Sequence, residues 1–155
     1  PHLGAGQRTP EADRAAIARE LQRMGLTGFA SRTATQLSGG EQARALIARA
    51  LAQETPLLMA DEPIAGLDPA HQIATMQTFA ELAAEGHSVI VSLHDLGLAA
   101  RWCSRLIVID KGAVAADGPP RAVLTPALLR DTFGIRAFVQ ETDDGLVFQP
   151  MGVLA

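Results

Sequence analysis

Three short apolar runs, separated by stretches of helical periodicity, constrain the fold of this chain more than any other feature. The runs are Leu57 to Ala60, Val89 to Val91 and Leu106 to Ile109. Continuous apolar runs of this length are typical of strands that are buried on both faces of a parallel sheet. Because strands that alternate with helices predict right-handed parallel crossovers, we expect an α/β fold built on a parallel sheet.

Helix start and stop signals lie between and before these runs. Thr9-Pro10 predicts the N-cap and first residue of a helix that ends at Gly25, and a second helix is expected just after Ser38. Asp68-Pro69 predicts the start of a third helix, which Gly86 ends. The spacing of apolar residues places Ile17, Leu21 and Met24 on one face of the first helix and Leu46, Ile47, Ala50 and Leu51 on one face of the second.

Turn signals dominate the last third of the chain. Lys111-Gly112 predicts a hairpin after the third apolar run, and a short helix is expected through Leu128 and Leu129. Asp144-Gly145, a favoured pair for a tight turn, lies between two apolar segments and predicts a C-terminal β-hairpin.

Composition excludes several classes of protein. A chain of 155 residues with 48% hydrophobic and 19% charged residues is long and apolar enough for one globular domain. The net charge of -4 argues against a nucleic-acid partner. No apolar stretch approaches the length of a membrane span. Cys103 is the single cysteine, so we expect neither an intrachain disulfide nor a cysteine cluster for zinc.

Two adjacent carboxylates, Asp61 and Glu62, follow the first apolar run. Ligands of open α/β sheets bind outside the carboxyl ends of the strands, so the pair would lie at such a site. Asp61 is predicted to hold Mg²⁺, and Glu62 to orient or deprotonate an attacking water. The alternative is that the Asp-Glu-Pro segment only ends a strand and begins a turn.

A second candidate site is the Ser38-Gly39-Gly40 turn at a predicted helix N-terminus. Unpaired backbone N–H groups and the helix dipole favour a phosphate there, and glycines allow its close approach. The alternative is an ordinary serine N-cap. His94, after the second apolar run, could donate a hydrogen bond to a terminal phosphate or could serve a structural role only.

Taken in order, four segments resemble motifs of the ATPase domain of ATP-binding cassette (ABC) transporters. Leu37 to Gln42 resembles the signature sequence, Leu57 to Pro63 the Walker B strand, Ala65 to Asp68 the D-loop, and Ser92 to Asp95 the switch-histidine segment. The resemblance implies a P-loop NTPase-like core with part of a helical subdomain before it. The implied parts are 1–36 for the remainder of the helical subdomain, 37–125 for the core, and 126–155 for a C-terminal helix and hairpin.

The resemblance also implies a role for each motif residue in a homodimer that holds ATP and Mg²⁺ between two copies. Asp61 would serve Mg²⁺, Glu62 would act as the general base, and His94 would sense the γ-phosphate. The residues implied to contact the nucleotide or to communicate across the dimer are Ser38, Gly39, Gly40, Gln42 and Asp68.

One family motif is absent from the printed sequence. A phosphate-cradling loop requires Gly-x-x-x-x-Gly-Lys-Ser/Thr, and the single lysine, Lys111, lies in a predicted hairpin instead. Gln7 does not follow a strand and makes no convincing Q-loop. We therefore expect the C-terminal part of a longer ATPase, one that by itself neither binds ATP tightly nor hydrolyses it. Ile64 and Ala60 also depart from the usual family residues around the carboxylate pair.

Pro1 to Gly4 and Leu93 to Leu96 are similar to ATPases of importers for ferric siderophores, haem and cobalamin. By that resemblance the protein would act on the cytoplasmic side of the bacterial plasma membrane, bound to transmembrane permease subunits. A periplasmic substrate-binding protein would be an indirect partner. The alternatives are a soluble cassette ATPase of DNA repair or translation, and a degenerate fragment that has no catalytic activity.

Overall fold

The computed structural model describes residues 11–143 and 145–154. Its elements fall into two compact units, one that ends at Ser92 and one that begins at Leu93. The first unit contains a short 3-10 helix (Ala34–Gln36) and the elements α1 (Glu11–Arg23), α2 (Gly39–Leu51), β1 (Leu57–Asp61), α3 (Pro69–Ala84) and β2 (Ser88–Ser92). The second contains α4 (Leu96–Trp102), β3 (Leu106–Asp110), β4 (Ala113–Gly118), α5 (Pro120–Val123), α6 (Pro126–Phe133), β5 (Ile135–Thr142) and β6 (Gly145–Val153).

The first two apolar runs form a parallel pair of strands, as predicted. Leu57 of β1 is opposite Ser88 of β2, and the ladder continues to Asp61 opposite Ser92. Leu58 is buried on one face of this pair, whereas Leu57, Met59 and Ile90 are exposed on the other. Asp61 and Ser92 therefore lie at the carboxyl end of the exposed face.

The third apolar run forms an antiparallel ladder, which corrects the expectation of a third parallel strand. β3 pairs with β4 through a register that includes Asp110 opposite Ala113. The turn residues Lys111 and Gly112 have positive φ angles of 49° and 79°. Because two positive φ angles match the twist of a tight hairpin, this turn favours the antiparallel partner, and the hairpin predicted at this point is confirmed.

The buried faces of the first two helices differ from those predicted. α1 buries Ala16 and Glu20, and Met24 is buried directly after the helix, while Ile17 is 39% exposed. Glu20 can be buried because Arg19 and Arg23 approach its carboxylate at 2.7 and 3.8 Å. A count of apolar positions in the sequence does not detect a charged residue on the buried side of a helix.

In α2, too, one residue of the predicted apolar face is exposed. Ile47 and Ala48 are buried, whereas the side chain of Leu46 is 63% exposed. The helix begins directly after Ser38, as expected. The helix start predicted at Thr9-Pro10 lies outside the described residues.

The second unit has its own core. Ala100, Leu124, Leu129 and Phe148 form a buried cluster, against which residues of β5 and β6 pack. The C-terminal β-hairpin is confirmed by the pairing of Thr142 with Gly145; Asp144 of its turn lies outside the described residues. Among the described residues, no helix is long and apolar enough to cross a membrane.

Candidate functional site

The carboxylate pair lies at the carboxyl end of β1. Asp61 is the last residue of this strand, and Glu62 follows it with a positive φ of 45°. A positive φ is uncommon for a residue with a side chain, so the chain turns sharply at Glu62. Asp61 and Glu62 are both exposed. They therefore occupy the place at which parallel sheets bind ligands.

Ser92 connects this pair to the neighbouring strand. The hydroxyl group of Ser92 donates a hydrogen bond to Oδ1 of Asp61. The same hydroxyl oxygen accepts a hydrogen bond of 2.9 Å from the backbone N–H of Glu62. One side chain at the end of β2 thus holds both the carboxylate of Asp61 and the backbone of Glu62.

Ser38 is the N-cap of α2, which supports the structural alternative without excluding a ligand. Its Oγ accepts a hydrogen bond of 3.3 Å from the N–H of Glu41, and its own N–H donates to Oε2 of Glu41 at 2.6 Å. The second of these contacts holds the pKa of the Glu41 carboxyl below its usual range. The capping box thereby fixes the position of the Ser38 turn.

Gly39 and Gly40 are the first two residues of α2, where backbone N–H groups have no acceptor within the helix. A Cβ atom at Gly39 would meet no atom of the described residues within 4 Å, and one at Gly40 would lie 3.6 Å from Cδ2 of Leu67. Leu67 is buried and belongs to the loop that leads to Asp68. The serine-glycine turn is therefore packed beside the loop that resembles the D-loop.

Gln42 faces the chain that precedes the turn. Its side-chain amide nitrogen donates hydrogen bonds to the carbonyl oxygens of Ala34 and Leu37, at 3.1 and 3.0 Å. The amide group therefore holds the segment that precedes the Ser38 turn against the start of α2.

Asp68 is the N-cap of α3, the helix whose start Asp68-Pro69 predicts. Its Oδ1 accepts a hydrogen bond of 3.0 Å from the N–H of His71, and Oδ2 lies 2.6 Å from Nδ1 of the same residue. These contacts, the backbone hydrogen bond first, lower the pKa of the Asp68 carboxyl. The residue is exposed and remains open to a second partner.

His94 belongs to the second unit and lies on the short segment between β2 and α4. Its side chain is exposed. The next residue, Asp95, is the N-cap of α4 and accepts a hydrogen bond of 2.8 Å from the N–H of Leu98. The local fold thus fixes the backbone directly after His94.

The donor atoms at Asp61 fit a magnesium ion. Within residues 11–143 and 145–154, no cluster of three or more His, Cys, Asp or Glu side chains is arranged to hold a metal ion. Mg²⁺ in nucleotide sites needs only one or two carboxylates, because waters and substrate phosphates complete its shell. Asp61, oriented by a serine hydroxyl, is a donor set of this kind.

Reasoning from sequence missed the connecting role of Ser92. The residue could have been found from its position, since a polar residue at the end of a buried strand lies next to the end of the neighbouring parallel strand. It also missed the contacts of His71 with Asp68, although a histidine three residues after a helix N-cap is within reach of it.

Comparisons with known proteins agree with this geometry. Residues 2–65 match the family model of the ABC transporter. The cobalamin import ATP-binding protein BtuD of Halobacterium salinarum is 47% identical over 130 residues, which cover 83% of this chain and 33% of that protein. The hemin import ATP-binding protein HmuV of Nocardia farcinica is 52% identical over 124 residues, which cover 79% of this chain and 43% of that protein.

Solved structures with a similar fold are also ABC transporter proteins. The structure of a metal-chelate type ABC transporter in an inward-facing conformation superposes with a TM-score of 0.82 at 26% identity, covering 97% of this chain and 62% of that one. The dimeric bacterial ABC transporter cassette MJ0796 gives a TM-score of 0.66 at 33% identity, covering 76% of this chain and 51% of that one.

The order of the motifs and the fold are those of an ATPase cassette, and the chain is similar over most of its length to ATPases of the ABC transporter family. Within that family, both curated relatives described above are import ATP-binding proteins. The chain spans between one third and one half of the length of each of them.

Proposed function

We propose that this chain is part of the ATP-hydrolysing subunit of an ABC importer for cobalamin, haem or an iron chelate. The observation that carries the proposal is the Asp61–Glu62 pair at the end of a parallel strand, held in place by Ser92. The names of the import relatives support the cargo class. They do not favour the alternative of a DNA repair or translation ATPase.

In this proposal each residue of the pair has a separate task. Asp61 holds Mg²⁺, which when bound neutralises charge on the β- and γ-phosphates. Glu62 orients a water molecule and accepts a proton from it as the water oxygen attacks the γ-phosphorus. The bond from the γ-phosphorus to the bridging oxygen breaks, and the products are ADP and inorganic phosphate.

The remaining motif residues act on the nucleotide from two sides. His94 donates a hydrogen bond to the γ-phosphate held in its own copy. The turn formed by Ser38, Gly39 and Gly40 contacts the γ-phosphate held in a second copy, together with Gln42. Asp68 contacts the partner across the same interface. The first N–H groups of α2 have no acceptor within the helix, which supports this assignment because helix N-termini favour anions.

We further propose a place for this ATPase in a larger assembly. A homodimer lies on the cytoplasmic face of the plasma membrane and binds transmembrane permease subunits, while a periplasmic substrate-binding protein is only an indirect partner. Residues 1–36 belong to the helical subdomain, 37–125 to the core, and 126–155 to the C-terminal helix and hairpin. No nucleic acid takes part.

A phosphate loop must come from outside these 155 residues if ATP is to bind tightly. Parallel sheets are stable when both faces are covered, yet Leu57, Met59 and Ile90 are exposed on one face of the β1–β2 pair. This apolar face supports the proposal that further polypeptide, carrying a phosphate loop, completes the sheet. The isolated chain is then inactive.

ATP turnover by the longer polypeptide that includes a phosphate loop tests the proposal. We expect magnesium-dependent hydrolysis, which Glu62→Gln lowers by about 100-fold or more because a general base is lost. Glu81→Gln, an exposed position on α3, is the matched control and is expected to keep the wild-type rate. Wild-type turnover in Glu62→Gln would refute the assignment of the base. Turnover by the isolated 155-residue chain would refute the need for a separate phosphate loop.

A further inference from the structure

The side chain of Ser92 contacts both members of the carboxylate pair through hydrogen bonds. Its hydroxyl donates to the carboxylate of Asp61 and accepts from the backbone N–H of Glu62. The parallel register places Asp61 directly opposite Ser92. A hydroxyl group is suited to this position because it can donate one hydrogen bond and accept another at the same time.

The contact matters because the backbone of Glu62 is strained. Its φ of 45° is rare for a residue with a side chain and persists only where the surroundings hold it. The hydrogen bond of 2.9 Å from its N–H to Ser92 is such a restraint. Without this acceptor the turn at Glu62 can relax toward an extended backbone, and the direction of the Glu62 side chain changes with it.

We propose that Ser92 is a positioning residue that sets the geometry of both Asp61 and Glu62 for hydrolysis. This inference rests on the proposed function, since it presumes that the pair acts on a nucleotide. Ser92 contacts the two acidic residues and acts through them. Its loss should lower the rate of the chemical step more than the affinity for the nucleotide.

Three substitutions at Ser92 separate the hydroxyl group from the shape of the side chain. Ser92→Ala removes the hydroxyl. Ser92→Thr keeps it, and Ser92→Val has the shape of threonine without a hydroxyl, so this pair remains informative if alanine disturbs folding. Ser88→Ala is the matched control, because Ser88 lies on the same face at the opposite end of β2.

Two measurements on the longer, phosphate-loop-containing polypeptide test the proposal. Hydrogen exchange of the Glu62 amide, followed by NMR, reports the contact itself. We expect exchange about tenfold faster in Ser92→Ala and Ser92→Val, and unchanged in Ser92→Thr and Ser88→Ala. Steady-state kinetics should show kcat about 10- to 100-fold lower in the two variants without a hydroxyl, with KM for ATP nearly unchanged.

The outcomes separate the inference from the proposed function. An unchanged Glu62 amide in Ser92→Val overturns the inference whatever the kinetics show. Faster exchange with wild-type kcat also overturns it, because the contact would then be structural only. If the wild-type polypeptide hydrolyses no ATP, the proposed function fails and the inference fails with it, even though the exchange data would still confirm the contact.

Discussion

Ser38 has two candidate roles, the N-cap of α2 and a phosphate ligand, and substitutions can separate them. Ser38→Ala removes the hydroxyl that accepts from the N–H of Glu41 at 3.3 Å, while the 2.6 Å bond from the N–H of Ser38 to Glu41 remains possible. Because the lost bond is long and half of the capping box remains, we expect about 0.5–1 kcal/mol of destabilisation, the lower part of the usual range for a lost cap.

Ser38→Asp keeps the cap and changes the charge. Aspartate is as good an N-cap as serine, so the free energy of unfolding should stay within about 0.5 kcal/mol of the wild type. If a γ-phosphate from a second copy lies about 4 Å away, the added carboxylate repels it by about 4 kcal/mol at an effective dielectric constant near 20. That energy corresponds to a loss of about 1000-fold in nucleotide-driven dimerisation.

Urea unfolding measures the cap, and analytical ultracentrifugation with ATP measures the dimer. The dimer measurement uses the longer polypeptide with Glu62→Gln in the background, so that ATP is not consumed. We expect Ser38→Ala to lose stability and dimerise moderately less, and Ser38→Asp to keep stability and fail to dimerise. Dimerisation of Ser38→Asp at wild-type ATP concentrations would show that Ser38 is a cap and nothing more.

Three further predictions concern the fold. Leu129→Ala should destabilise the protein by about 2–5 kcal/mol in urea unfolding, because Leu129 is 1% exposed, whereas Leu46→Ala, at an exposed position, should cost less than about 0.5 kcal/mol. Contacts with His71 lower the pKa of the Asp68 carboxyl. The stability that Asp68 contributes is therefore complete above the unfolded pKa of Asp and is lost as the pH falls through the lower folded pKa. Asp68→Asn should flatten this acid dependence of the free energy of unfolding, and an unchanged pH profile in the variant would refute the prediction. Burial raises the pKa of the Cys103 thiol, so alkylation by iodoacetamide at neutral pH should be slow in the folded protein and fast in urea.

Local signals in the sequence predicted the elements well where the turn chemistry is strong. Two helices start directly after Ser38 and Asp68, as predicted, and both residues are N-caps. The strand at Leu57 and the hairpin at Lys111-Gly112 are also confirmed. These features depend on a few adjacent residues, so a single sequence contains the information that determines them.

Features that depend on distant partners could not be predicted in the same way. The third apolar run was expected to join a parallel sheet, but it pairs antiparallel with β4, the next strand of its hairpin. Glu20 is buried because neighbouring arginines compensate its charge, which no apolar periodicity records. The contact of Ser92 with Glu62 joins residues 30 positions apart, so it emerges only from the register of two strands.

The two glycines of the turn provide the sharpest test of a shared nucleotide site. Among the residues that the structure describes, a Cβ at Gly39 would have no neighbour within 4 Å, and one at Gly40 would make an ordinary contact of 3.6 Å with Leu67. Neither glycine has a positive φ. The described part of the chain therefore does not require glycine at either position, and alanine should stabilise α2 by up to about 1 kcal/mol for each replacement.

A requirement for glycine must then come from a group other than the described residues that approaches the backbone closely. If that partner is the phosphate of ATP held by a second copy, Gly39→Ala and Gly40→Ala should raise the urea midpoint and abolish ATP-driven dimerisation together. Gly97→Ala is an informative contrast, because its Cβ would lie 3.1 Å from Oδ1 of Asp95 and should lower the urea midpoint. If either alanine variant at the turn were more stable and still formed the ATP-bound dimer, no phosphate could lie against that glycine, and the helix start would be a structural cap alone.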